Sequence, residues 1–121
     1  MNEENSTKQQ VEETVATFAY DYMGVTPKSV VADIHSRSVL ATLQGIIPPA
    51  EKDYAESEPA GRDLLEKCYN NVFDVAKKVF EAELENILGQ VIQSSMLTVN
   101  PESGNGVMIF NLADRSPVQE Q

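Results

Sequence analysis

Few residues in this chain are of a type that does chemistry. His35 is the single histidine and Cys68 the single cysteine. Asp33 and His35 stand two apart in a segment that alternates like a strand, so their side chains would share one face and could form an acid/base pair or supply two metal ligands. No spacing in the sequence identifies a third ligand. We therefore favour a solvated hairpin end over a metal site.

Cys68 could act as a nucleophile if His35 lay beside it. However, its spacing from Leu65 and Val72 is that of one helix face, which predicts a buried and inert thiol. A single cysteine cannot form an intramolecular disulfide, as is typical of proteins in a reducing compartment. We predict no catalytic residues and no cofactor, and we expect that the chain is not an enzyme.

Three charged residues could contact a ligand or a partner. Lys28 stands at the entrance of a predicted strand and Arg62 at the start of a predicted helix, and together they could bind an anion such as bicarbonate or a nucleotide. A solvated lysine is the plainer interpretation of Lys28. Glu51 could be a general acid, but a carboxylate in the first turn of a helix is explained by the positive end of the helix dipole.

Two segments have the apolar spacing of an amphipathic helix. The first runs from Ser6 to Gly24, and the second is a long run from Arg62 to Leu88 that ends at Gly89. Before the long run, Ser57 is a plausible N-cap and Pro59 should lie near the first turn of the helix. The apolar residues of the long run are Leu65, Cys68, Val72, Val75, Ala76, Val79 and Ile87, widened by Tyr69, Phe73, Phe80 and Leu84. So wide a face predicts contact with more than a sheet. The candidate homodimer face comprises Val72, Phe73, Val79 and Phe80.

A shorter helix is predicted after the stretch G-I-I-P-P-A-E-K-D, residues 45–53. Proline suits the first turn of a helix because its missing N–H has no partner there, and an early glutamate complements the helix dipole. Pro49 and Glu51 therefore mark the predicted helix start.

Four segments alternate like half-buried strands, at residues 29–36, 38–45, 90–99 and 106–112. The first two should pair as a hairpin across S-R-S, and the last two across a longer, mobile loop, N-P-E-S-G-N-G. We predict an α+β fold of two α-β-β units, with a four-stranded, mainly antiparallel sheet and the helices on one face. One domain covers residues 7–113, and residues 1–6 and 114–121 are predicted to be disordered tails.

Charge and composition restrict the class of partner. The 121 residues include nine basic and nineteen acidic ones, and the net charge of −10 repels both nucleic acid and anionic lipid. No apolar stretch is long enough to span a bilayer, and the N-terminus lacks the basic and apolar regions of a signal peptide. We expect a cytoplasmic protein that binds no nucleic acid and does not insert into a membrane.

Three motifs carry a resemblance: G-V-T-P-K-S-V, L-Q-G-I-I-P-P-A-E-K-D-Y-A and G-R-D-L-L. They resemble a bacterial family, formerly named only as a domain of unknown function, that takes its name from the MpsC component of a sodium-translocating membrane-potential-generating system. The resemblance covers roughly residues 10–113. The family's helix-start threonine is Pro48 here, which has no side-chain acceptor to form a capping box with Glu51.

The resemblance implies a cytosolic accessory protein that acts with membrane proteins of ion-translocating or inorganic-carbon-uptake complexes. It carries over no catalytic residue. Our leading hypothesis is a non-enzymatic accessory or regulatory protein that binds protein partners and forms a homodimer through the helix at 62–88 or a sheet edge. The alternative is a domain that senses a small anion or a nucleotide through Lys28 and Arg62.

Overall fold

Helices and strands follow one another in the predicted order. The structure, a computed structural model, describes residues 3–113, with the backbone alone for residues 3–5 and 59. The elements are α1 (Glu3–Met23), β1 (Ser29–Ile34), β2 (Ser38–Gln44), α2 (Pro49–Ser57), α3 (Pro59–Leu88), β3 (Ile92–Asn100) and β4 (Asn105–Leu112). The α+β class is confirmed. The tail predictions for residues 1–2 and 114–121 lie outside the described residues.

The strands form one four-stranded sheet in the order β1-β2-β4-β3, and every pairing is antiparallel. Both predicted hairpins are present, as β1/β2 and β3/β4. The hairpins join through β2 and β4, where Ala41 lies opposite Met108. Strands β1 and β3 are therefore the two edges of the sheet.

Helices α1 and α3 pack side by side on one face of the sheet, α1 against β1 and α3 against β3. Aromatic rings join these layers: Phe18 stacks on Phe80 with centroids 4.1 Å apart, and Phe80 meets Phe110 of β4 edge-on at 5.4 Å. Phe73 also lies in this core, edge-on to Phe18. Phe73 and Phe80 are 1% and 0% exposed, so neither side chain is available to a partner. The predicted dimer face is therefore wrong for these two of its four residues.

Two helix starts differ from the predictions. Helix α1 begins at Glu3, so the predicted N-cap Ser6 and the predicted tail from residue 3 lie inside the helix. No glycine or proline separates Glu3 from Ser6, so nothing in the sequence ends the helical pattern there. Helix α3 begins at Pro59, which confirms the prediction of this proline near its first turn, but its N-cap is Glu58 and not the predicted Ser57. Its predicted end is confirmed, with Gly89 in the left-handed conformation at φ 71°.

The glycine of the G-R-D-L-L motif allows two helices to pack closely. Gly61 is buried where α2 and α3 meet, and a Cβ atom at this position would lie 2.9 Å from both the carbonyl oxygen and the ring of Tyr54. Because one of these atoms belongs to the backbone, a larger side chain could not be accommodated by a rotamer change alone. Gly61 therefore sets how closely α2 approaches α3.

The connection from β2 to α2 is held by the loop between β3 and β4. The amides of Ile46 and Ile47 both donate to the Gly104 carbonyl, at 2.8 and 3.2 Å, and the Gly45 amide donates to Asn105 Oδ1 at 2.9 Å. The loop itself is only residues 101–104, shorter than predicted because both strands extend into the turn-forming sequence. These bonds place the start of α2 beside α3.

Candidate functional site

The outward surface of α3 carries a row of exposed apolar residues. We call this row the α3 stripe; its members are Leu64, Cys68, Val72, Val75 and Val79. Successive members are three or four residues apart, which keeps them on one side of the helix. Val75 is 85% exposed, the most of any large apolar residue described. The stripe is the kind of surface through which helices associate.

The prediction of a buried Cys68 is wrong, because this thiol is exposed in the stripe. Helix α3 carries two apolar rows roughly a third of a turn apart. The row that packs in the core consists of Leu65, Tyr69, Phe73, Phe80 and Leu84. Residue type alone did not distinguish the two rows, since Cys68 has helical spacing to members of both.

A cavity of about 310 Å³ opens beside the α3 stripe. Its walls come from the end of α1, the start of α2 and the first half of α3, and its lining residues are Met23, Gly24, Val25, Pro48, Glu51, Leu65, Cys68, Tyr69 and Val72. Cys68 and Val72 belong to both the stripe and the cavity, which makes the two features one continuous surface. The lining is mainly apolar, with a single carboxylate from Glu51.

Glu51 is positioned by α3. The Tyr69 hydroxyl donates to Glu51 Oε1 at 2.9 Å. Burial, then the hydrogen bond to Glu51 and its negative charge, raise the pKa of the Tyr69 phenol, so it remains a protonated donor at neutral pH. Helix α2 begins at Pro49 with Glu51 in its first turn, and the N-cap Pro48 makes no side-chain hydrogen bond. The lost capping box is thus replaced by a contact between helices.

Tyr69 was not predicted as part of a site. It stands eighteen residues from Glu51, and no local pattern links a helical tyrosine to a carboxylate that far along the chain. Met23 at the end of α1 and Val25 just after it were missed for the same reason. Only the packing of α1, α2 and α3 brings these side chains around one cavity.

Comparison with known families identifies the chain. The family model described as Na+-translocating membrane potential-generating system (MpsC) matches residues 3–114. The chain belongs to this family. All seven elements and the cavity lie within the matched MpsC region, which confirms the resemblance carried by the three motifs. No curated protein and no solved structure matches the chain. None of the described MpsC helices is both long enough and apolar enough to cross a membrane.

Two cations of the MpsC motifs, Lys28 and Arg62, have different surroundings. Arg62 forms an ion pair with Glu102, Nη2 to Oε1 3.2 Å, and lines a second cavity of about 260 Å³ that Glu56 and Glu102 also line. The stem of Lys28 lies against Gly45, and Lys28 does not line that cavity. Two carboxylates beside Arg62 oppose an anion there. Anion binding by this pair stays a prediction.

Asp33 and His35 are both exposed near the end of the β1/β2 hairpin of the MpsC fold. The His35 amide donates to the Ser38 carbonyl at 2.8 Å, which closes the turn. Within residues 3–113, no group of three or more histidine, cysteine, aspartate or glutamate side chains is arranged to hold a metal ion. The contact seen for His35 is thus the backbone hydrogen bond of a turn.

Proposed function

We propose that this protein is a non-enzymatic, cytoplasmic accessory component linked to a Na+-translocating membrane potential-generating system, and that it acts by binding a protein partner through the α3 stripe. Family membership supports the link to that system. The observation that carries the binding mode is the stripe itself, an exposed apolar row on a chain whose net charge is −10. Exposed apolar surface of this kind marks interaction sites on otherwise polar proteins.

The stripe and the adjoining cavity suit an amphipathic helix of the partner. From Leu64 to Val79 the stripe extends about 22 Å along α3, the length of roughly four helical turns. The cavity beside Cys68 and Val72 could receive an apolar anchor side chain, the type of contact that dominates binding energy at interfaces. Glu51 would accept a hydrogen bond from a basic residue next to that anchor. A basic partner would also be attracted by the acidic chain.

The single cysteine allows a direct test. A thiol-reactive photocrosslinker attached to Cys68 would sit in the stripe without any substitution, because no other thiol competes for the reagent. Illumination with membranes that contain the native sodium-translocating system should join the protein to a subunit of that system. The matched control places the reagent on the exposed surface of α1, in a Cys68→Ala, Glu13→Cys variant, and should give no such product.

Charge substitutions in the α3 stripe give a second test of partner binding. Val75→Glu should reduce recovery of the partner by about tenfold or more, since a charge in the centre of an apolar contact must be desolvated. Val91→Glu is the matched control, because Val91 is also well exposed, at 62%, but lies outside the stripe. Equal recovery with both variants, or a Cys68 reagent that captures no subunit of the system, would overturn the proposal.

A further inference from the structure

The face of the sheet opposite the helices has an apolar centre. The strand register places Leu40, Ile109 and Met96 side by side across β2, β4 and β3. A neighbouring row across all four strands includes Val31 and Val107. Val31 and Met96 are 45% and 52% exposed. Both helices that pack on the sheet lie on its other side, so no element within residues 3–113 covers these side chains. We call this surface the outer sheet face.

The outer sheet face is nearly free of charge. By the register, its outward positions are Ser29, Val31, Asp33, Ser38, Leu40, Thr42, Gln44, Ser94, Met96, Thr98, Asn100, Asn105, Val107, Ile109 and Asn111. Asp33 is the only charged residue among these strand positions, although 23% of the chain is charged. Arg37, in the β1/β2 turn, adds a positive charge at one rim, where it lines a pocket with Ser94 and Asn111. Apolar residues therefore form the centre and polar residues most of the rim, which is the anatomy of a protein interface.

We propose that the outer sheet face is a homodimer interface, with a second copy of this chain as its occupant. In a two-fold contact the same patch of both copies meets, and a patch that carries few charges brings few like charges together. Two chains that each carry −10 repel each other least where the surfaces in contact carry few charges. A basic partner would instead be drawn to the acidic surfaces elsewhere. The low charge of the outer sheet face thus favours self-association over a strongly charged heterologous partner.

The size of the surface is consistent with a modest dimer. Four strands about 4.8 Å apart and roughly six residues long give a patch of about 19 by 20 Å, or roughly 400 Å² in plan. Two such faces bury roughly 800 Å² or more, an area that is typical of weak and transient interfaces. Sheets that pack face to face lie ~10 Å apart with strands inclined at about 30°. Because the contact is of this small class, we expect a weak dimer with a dissociation constant in the micromolar range or above.

The sheet edges are less suited to this contact, because a helix carboxylate occupies an amide on each edge strand. Glu12 of α1 accepts from the Ala32 amide of β1 at 2.9 Å, and Glu85 of α3 accepts from the Ile92 amide of β3 at 2.8 Å. A strand added at either edge would have to displace these bonds. We therefore favour the outer sheet face over a sheet edge as the dimer interface.

Sedimentation velocity over a range of protein concentrations tests this dimer. The wild-type protein should shift from monomer to dimer, and the shift should strengthen with added salt, because salt screens repulsion between the acidic chains. Met96→Glu and Thr98→Glu should each raise the dissociation constant by about tenfold or more, since each adds one carboxylate per copy that must lose its hydration within the contact between two acidic chains. Thr98 is already polar, so its substitution keeps the experiment informative if Met96→Glu folds poorly.

Val75→Glu is the matched control, because the α3 stripe lies on the other side of the sheet and should stay free in the dimer. Unchanged dimerisation of Val75→Glu, together with its loss in both sheet variants, would support the proposal. Three results would overturn it: a wild-type monomer at every concentration, full dimerisation of Thr98→Glu, or loss of the dimer in Val75→Glu alone. The last result would move self-association to the stripe.

Discussion

Glu12 ties α1 to the edge of the sheet through one carboxylate oxygen. Its Oε2 accepts a hydrogen bond from the Ala32 amide, and the Lys8 ammonium one turn earlier bonds the same oxygen. Burial raises the pKa of Glu12, but the hydrogen bonds from Lys8 and Ala32 and the charge of Lys8 together outweigh it, so the pKa lies below the ordinary value of 4.5. The folded state thus favours the ionised form.

We predict that Glu12→Gln lowers the free energy of unfolding by about 1 kcal/mol near neutral pH, where the carboxylate bonds are fully formed. Because the pKa of Glu12 is lower in the folded state, the unfolded chain binds more protons in acid. The contribution of Glu12 is therefore present above pH 4.5 and is lost as the pH falls through the folded pKa. Urea unfolding of both proteins at neutral and acidic pH measures the difference.

Glu13→Gln is the control for this prediction. Glu13 is the exposed neighbour on α1, and its carboxylate accepts only a 3.3 Å bond from Gln9. Its substitution should leave the free energy of unfolding within about 0.5 kcal/mol of the wild type. If Glu12→Gln and Glu13→Gln behaved alike at every pH, the Glu12 contact with β1 would have no part in stability.

At the scale of elements, α3 carries two apolar rows with different surroundings. One row packs against α1 and the sheet, and the other remains exposed as the α3 stripe. The neighbours Val79 and Phe80 illustrate the division: Val79 is 52% exposed, whereas Phe80 is fully buried between Phe18 and Phe110. Adjacent residues on a helix point about 100° apart, so one can lie in the core while the next faces solvent.

These neighbours give a matched pair of substitutions. Phe80→Ala should lower the free energy of unfolding by about 3–5 kcal/mol, because it removes a buried ring and leaves a cavity. Val79→Ala should change it by no more than about 0.5 kcal/mol, since this side chain is largely exposed in the monomer. Denaturant unfolding at low protein concentration, where the monomer predominates, measures both. Similar losses for the two variants would contradict the assignment of the rows.

At the scale of the whole molecule, net charge opposes folding. Nineteen acidic residues against nine basic ones leave at least ten carboxylates without a basic partner of their own. Confining these charges in one small domain costs free energy that salt reduces by screening. The repulsion acts between surface charges, since the buried residues are almost all apolar.

The melting temperature should therefore rise between about 0.01 M and 0.1 M salt, over which the Debye length falls from about 30 to 10 Å. Sodium chloride and potassium chloride should have the same effect, because screening depends on ionic strength and not on the cation. Calorimetry in both salts makes the comparison. A rise confined to sodium would contradict simple screening and would indicate a bound cation.

Local patterns in the sequence determined most of the elements. Alternation predicted both hairpins, the Pro-Pro-Ala-Glu segment predicted the start of α2, and Gly89 marked the end of α3. Each of these signals depends on backbone conformation within a few residues, so each can be recognised without knowing the rest of the fold. Charge is likewise a property of the sequence, and a net charge of −10 restricts the class of partner whatever fold the chain adopts.

The tertiary structure alone decided which surfaces are free. Both apolar rows of α3 have helical spacing, and only the docking of α3 against Phe18 and Phe110 selects the row that is buried. The strand order places β4 between β2 and β3, which assembles the outer sheet face from strands far apart in the chain. The cavity likewise needs Tyr69 to meet Glu51 across two helices. These contacts form between distant residues, and hydrophobicity, being non-directional, does not specify which partner an apolar face will find.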